Sequence, residues 1–179
     1  MQKEARKQMR LKIAVLALAL VLVPTLVMAQ APSQNIMEIL SADNNFSTFT
    51  SLLKEADIKD LSMEGPFTVF APTDAAFAKV PADVTEKLKK DKALLRRVLY
   101  FHVVPGKYMQ KDMMELKECR TLCPTAGGVA LLDLKVDKNS GKLISVEGAT
   151  PVQTDVPASN GVIQVIDSVM LTPLRTPIK

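Results

Sequence analysis

Three features of this chain could do chemistry: a lone histidine, two cysteines four residues apart, and carboxylates set in otherwise apolar segments. His102, the only histidine, sits in "LYFHVVPG" between an apolar run and a turn. An imidazole can serve as a general base, ligate a metal or fill a core position. As a base it would need a nucleophile within hydrogen-bond reach and an oxyanion site beside it. The chain has no Gly-x-Ser-x-Gly stretch, glycine-rich phosphate loop or dinucleotide fingerprint, and Gly127-Gly128 reads as a turn. His102 follows Leu95 by seven residues and Val98 by four, on the apolar face of a helix beginning near Asp91. The ring is therefore expected to point inward, with one nitrogen bonded to backbone or to a partner such as Asp74 or Asp167.

Cys119 and Cys123 lie in "ECRTLCPT". Together with His102 they make only three metal ligands, where a closed structural zinc site takes four. The spacing is also not the Cys-x-x-Cys of thiol oxidoreductases. An even cysteine pair in an exported protein suggests a disulfide. Four residues of extended strand span about 13 Å, whereas bridged Cα atoms lie about 4.4–6.8 Å apart, so closure requires a bend, which Pro124 can supply. The expectation is a Cys119–Cys123 bridge across that bend. Asp74 is expected to support a helix start, and Asp167, interrupting an apolar strand, needs a partner if buried. No run resembles the Asp-x-Asp-x-Asp-Gly of a calcium loop. The remaining carboxylates read as a solvated surface, although spacing alone leaves glycosidase-type pairs open. No cofactor is expected.

The elements that position these residues begin after a leader. "MQKEARKQMRLK" is basic, "IAVLALALVLV" is apolar, and Pro24 and "VMA" precede Gln30. This pattern reads as a secretory signal peptide, residues 1–29, cleaved after Ala29. The rival is an uncleaved anchor over Ile13 to Ala29, the one route to a membrane. The leader carries five basic residues and one acidic, so removing it from the chain's 23 and 19 leaves the signs balanced. With only short basic runs such as "KLKKDK" left, there is no footprint for nucleic acid. About 150 residues remain, enough for one domain with its own core. The division is a short linker over 30–33, a domain over 34–173 and a tail over 174–179, with a monomer expected.

Up to His102 the periodicity is helical. Phe46, Phe49, Leu52, Leu53 and Ala56 fall on one face, and Asn35 with Glu38, and Asp83 with Glu86, have the spacing of helix-start boxes. After Pro105 the period becomes two. "VALLDLKV" and "KLISVEG" flank the turn "DKNSG" as a hairpin, and "TPVQTDV" and "GVIQVIDSVML" follow as further strands. The second of these is apolar on both faces and should be central. Helices first and strands after give an α+β domain with a largely antiparallel sheet region.

Three segments carry a resemblance. In "TVFAPTDAAF", Thr68 to Ala71 are strand-like, Pro72 ends the strand, Thr73 is placed to cap a short helix with Asp74 in its first turn, and Phe77 returns to the core. With "YFHVVPGKY" and "NGVIQVIDSVML", which opens on Asn160-Gly161 and contains Asp167, it resembles the two signature boxes and Tyr-His region of the fasciclin domain family. The resemblance covers about residues 34 to 173. It implies a helical layer wedged against a seven-stranded antiparallel β-sandwich, export, no enzymatic activity, and a role in adhesion, matrix contact or host and surface interaction. Two positions depart from the family pattern. Phe101 stands where Tyr usually precedes His, with Tyr100 one residue earlier, and Gln164 stands where the second box commonly carries His. In animal members the Tyr-His region is linked to integrin binding, and Phe101 lacks that tyrosine's hydroxyl.

The reading of function is an exported, non-enzymatic module that binds a cell-surface or extracellular-matrix protein or glycan. Its contact region is Pro105 to Met114, with Pro105, Lys107, Tyr108 and Met109 outward and Phe101 and His102 fixing the base. The methionines of "YMQKDMMEL" either line an adaptable contact surface or fill gaps beneath a loop. One alternative is a carrier of an apolar small molecule, which needs a lined cavity between helices and sheets. Another is a hydrolase, which needs an exposed His102 with a serine or carboxylate about 3 Å away.

Overall fold

The computed structural model describes residues 32–171 apart from 117, 126, 127 and 138, so the expected leader and tail and Gly127 lie outside the described residues. The first helix, α1 (Ile36–Ala42), opens on the expected box. Asn35 Oδ1 accepts from Glu38 N at 2.9 Å while Glu38 Oε2 accepts from Asn35 N at 2.9 Å. A 3-10 turn at Asn44–Phe46 leads into α2 (Ser47–Glu55), and Phe46, Phe49, Leu52, Leu53 and Ala56 are all buried, as their spacing requires. Next come α3 (Asp74–Ala78), α4 (Ala82–Lys90) and α5 (Lys92–Phe101). The expected box at Asp83 is not formed. Pro81 is the N-cap of α4, so Asp83 lies inside the first turn, where its charge complements the helix dipole.

The described residues hold seven strands: β1 (Phe67–Pro72), β2 (Val103–Pro105), β3 (Glu118–Thr125), β4 (Gly128–Val136), β5 (Leu143–Val146), β6 (Pro151–Ala158) and β7 (Gly161–Ile166). They form a four-stranded sheet in the order β2-β1-β7-β6 and a three-stranded sheet β3-β4-β5. A short helix, α6 (Gln110–Met113), interrupts the strand-rich half. The sheets are not wholly antiparallel. β1 enters within the helical half, and β7 returns beside it in parallel, Phe67 opposite Gly161 through Pro72 opposite Ile166. The expected hairpin is β4–β5.

Period two in the central strands builds two cores at once. Val69 and Ala71 of β1 and Ile163 and Val165 of β7 pack with the helices' Phe49, Leu53, Leu95 and Leu99. Phe70 and Ile166, one residue out of step, pack with Phe101, Leu132, Leu134 and Leu143 against the three-stranded sheet. All of β7 is buried because, like β1, it has a strand on either side, with helices over one face and strands over the other. The four-stranded sheet is thus the middle layer, and the helices wedge against it. At the end where Phe67, Pro105, Ala158 and Gly161 lie in register, a Cβ on Gly161 would overlap the Phe67 carbonyl, so only glycine lets these strands close. The strand ends at Ile166, so Asp167 lies just beyond it rather than within it.

Candidate functional site

His102 is the residue just past α5 and is 1 % exposed. Nδ1 lies 2.7 Å from the Val98 carbonyl, and Nε2 accepts from Met170 N at 3.1 Å. With Nε2 accepting, the proton sits on Nδ1 and is donated to Val98, a neutral ring with both nitrogens used. Its backbone carbonyl also accepts from Phe70 N at 2.9 Å, and the ring centroid is 6.1 Å from that of Phe49. One residue thereby ties α5, β1, α2 and the chain after β7 together. Burial pulls its pKa down to about 4, against a weaker opposing push from the Val98 bond. Both ring nitrogens are taken by backbone groups, and among the described residues neither bonds a serine or a carboxylate, so the ring is not arranged for the base chemistry that a hydrolase would require.

The two carboxylates named with it bond elsewhere. Asp74 accepts from Thr48 N at 2.8 Å and from Ser47 Oγ, closing the start of α2, while Thr73 Oγ1 caps α3 by accepting from Ala76 N at 3.3 Å. Phe77 reaches the helical core, 6.4 Å from Phe49. Asp167 Oδ1 accepts from Thr150 N at 2.8 Å, and Oδ2 meets Lys79 Nζ at 3.2 Å. Asn160, between β6 and β7, accepts from Ile36 N at 2.9 Å and donates to the carbonyls of Leu61 at 2.8 Å and Met63 at 2.9 Å, joining α1 to the loop before β1.

The expected disulfide is absent. Cys119 and Cys123 are free thiols, both buried on β3. The strand stays paired with β4 on either side of them, and the irregularity between Arg120 and Pro124 is a bulge rather than the turn that closure needs. Thr121 fills the bulge, donating to Ala130 O at 2.9 Å and accepting from Cys123 N at 3.1 Å. Burial pushes the Cys119 thiol up to about 11 and raises that of Cys123 against the opposing charge and hydrogen bond of Arg97. Neither is a ready nucleophile. Among the described residues no group of His, Cys, Asp and Glu is placed to hold a metal ion.

What the fold does assemble is the Pro105–Met114 arm, whose stretch from Gly106 to the first residue of α6, Gln110, is stitched down from three strands. The Thr68 hydroxyl of β1 donates to Gly106 O at 2.7 Å and accepts from Tyr108 N at 2.9 Å. Gln164 of β7, fully buried, donates to Tyr108 O at 3.3 Å and to Asp155 Oδ1 at 2.9 Å and accepts from Asp155 N at 3.0 Å. Asp155 Oδ1 also accepts from Gln110 N at 2.8 Å. Gly106 has φ +107, and a Cβ there would press on the Tyr108 ring at 2.7 Å. Met113 is buried in the core between the sheets and pins α6, as Phe101 does the end of α5. Above this base Pro105 and Lys107 are exposed, and Tyr108 and Met109 are half-buried. The arm is legible in the sequence, and Thr68 and Gln164 stand out in the family-like segments, but their role as its anchors, and Asp155 altogether, are not. The available signal was polarity: a glutamine within an all-apolar central strand cannot be buried without partners.

Two open clefts, of about 480 and 580 Å³, lie at the surface where the four-stranded sheet ends. The first is walled by Lys107, Pro66 and Asn160, the second by Asp60, Met63 and Phe67. Both are at the sheet end, whereas the space between helices and sheet is filled by Phe49, Leu53 and Leu99, each at most 2 % exposed.

The fasciclin domain model matches residues 44–172. This chain belongs to the fasciclin family. An uncharacterized protein of Synechocystis sp. is 40 % identical to this fasciclin domain over 138 residues, which are 76 % of this chain and 97 % of that protein. Human periostin is 33 % identical over 146 residues, 81 % of this chain but 17 % of periostin. Among solved structures, a FAS1 domain pair from the insect cell adhesion molecule fasciclin I aligns with TM-score 0.62 at 19 % identity, over 78 % of this chain and 51 % of that one. That likeness shows the shared fold, a helical layer against stranded sheets.

Proposed function

We propose that this fasciclin domain is an exported binding and adhesion module that meets a cell-surface or extracellular-matrix protein or glycan through the Pro105–Met114 arm. The observation that carries the reading is the arm's anchorage. Thr68, Asp155 and Gln164 hold its backbone from below while Pro105, Lys107 and Lys111 remain exposed. A contact surface ordered before binding avoids the cost of ordering it during binding. Phe101 and His102 serve as its buried footing. The adhesion molecule among the structural relatives supports the reading. Cleavage after Ala29 releases the domain from its leader, and it acts as a monomer without a cofactor.

The experiment is capture of solubilised cell-surface and matrix components by the immobilised exported protein, wild type beside Tyr108→Ala and Met109→Ala. The account expects capture by wild type and loss in the arm variants, with melting temperatures unchanged within a few degrees. Equal capture by all three proteins would refute the arm.

A further inference from the structure

The two clefts share Ser62, Met63 and Glu64, so they form one track running over Met63. Its floor at one end is rigid. Asn160 makes three hydrogen bonds there, and the Gly65 backbone lies so close to the Asn160 carbonyl that a Cβ would not fit. Its rim is uncommitted. Met63 is 62 % exposed. Lys107, Glu64, Ser62 and Ser159 are exposed, and among the described residues their side chains make no hydrogen bond or ion pair. The charges are divided, with Lys107 lining one cleft, Asp60 lining the other and Glu64 bordering both.

We propose that this track is a docking site for an extended segment of a partner protein. The segment lays an aliphatic side chain on Met63, turns an acidic side chain toward Lys107, and turns a basic one toward Asp60 and Glu64. Two open clefts that share Ser62, Met63 and Glu64 suit a chain that crosses both rather than a compact ligand enclosed by one. The exposed thioether offers an adaptable apolar contact, and Lys107 in one cleft with Asp60 in the other fixes the direction in which the segment lies, Glu64 standing between them on the residues the clefts share. The lining contains Phe67 but no exposed aromatic face of the kind on which a sugar ring stacks, which favours peptide over glycan. The proposal rests on the binding reading above and names the partner chemistry at the arm's Lys107 end.

The test is selection from a random dodecapeptide phage library on the exported protein, its Lys107→Glu and Glu64→Lys variants and Met63→Ala, each first checked by thermal melting. The expected result is enrichment of peptides with an acidic and a basic residue on opposite sides of an aliphatic one. Lys107→Glu should bind those peptides at least tenfold more weakly and select a basic residue in place of the acidic one. Absence of enrichment, equal binding by all four proteins, or displacement of the peptides by neutral oligosaccharides would overturn the proposal. If Glu64→Lys leaves selection unchanged while Tyr108→Ala abolishes partner capture, the track fails and the arm stands. The reverse pattern fails the arm and leaves the track.

Discussion

Acidification puts a number on His102 as neutral internal scaffolding. The ordinary pKa of the ring is 6.5, and burial lowers it to about 4 in the folded protein. Between those values the unfolded chain binds a proton that the folded one refuses, so stability is full above 6.5 and falls as pH drops toward 4. Integrated over that interval, the loss is about 2 kcal/mol at pH 5 and about 3 kcal/mol once pH passes below 4. For a domain of this size 2 kcal/mol corresponds to roughly 6–8 °C in melting temperature. The half-buried carboxylates Asp74 and Asp167 do not confuse the interval. Burial pushes Asp74 up, but bonds from Ser47 and Thr48 outweigh it, and for Asp167 bonds from Thr150, Lys79 and Ser168 do the same. Both pKa values end below 3.8, so their contribution is lost only under more acidic conditions. The assay is urea unfolding at pH 7 and pH 5, with the imidazole's nitrogen shifts followed by NMR in parallel. A stability unchanged between the two pH values, or a folded-state ring that titrates near 6.5, would refute the reasoning.

Other outcomes follow from the same contacts. Gln164→Ala strands Tyr108 O and Asp155 N, and is expected to cost about 1–3 kcal/mol in urea unfolding while amide exchange speeds up at Tyr108 and Gln110. Gly106→Ala forces a Cβ against the Tyr108 ring at a positive φ. It should destabilise by at least about 1 kcal/mol in thermal melting and weaken capture by the arm. The thiols of Cys119 and Cys123 should resist a thiol reagent in the folded protein, react as two free groups after denaturation, and leave the melting temperature unchanged on addition of reductant.

Much of the fold is legible in the sequence because burial imposes a period. The α2 face, the Asn35–Glu38 box, the β4–β5 hairpin and the central place of β7 all follow from spacing within a few residues. Pairings between distant segments do not, since nothing local to β1 or β7 states that they lie parallel. Bends are equally hidden. Pro124 reads as a bend able to bring two sulfurs together, yet β3 stays a strand, and Thr121 absorbs the irregularity as a bulge. His102 shows its inward face through its distance from Leu95 and Val98, but its partners are the backbone of Val98 and Met170 rather than Asp74 or Asp167. Met170 is 68 residues away, beyond the reach of any periodicity. The arm stands out by its turn residues, whereas its anchorage depends on Thr68, Asp155 and Gln164 from three strands that meet only in the folded chain.

The measurement that bears most directly on the central claim is hydrogen exchange across the exported protein, alone and with a captured surface or matrix partner. Binding through the arm predicts that added protection centres on residues 105–114 and the adjoining sheet end, with the amides around His102 unchanged because they are already slow. Protection confined to another face, such as the outer side of β4 at Val129 and Leu131, would contradict the account.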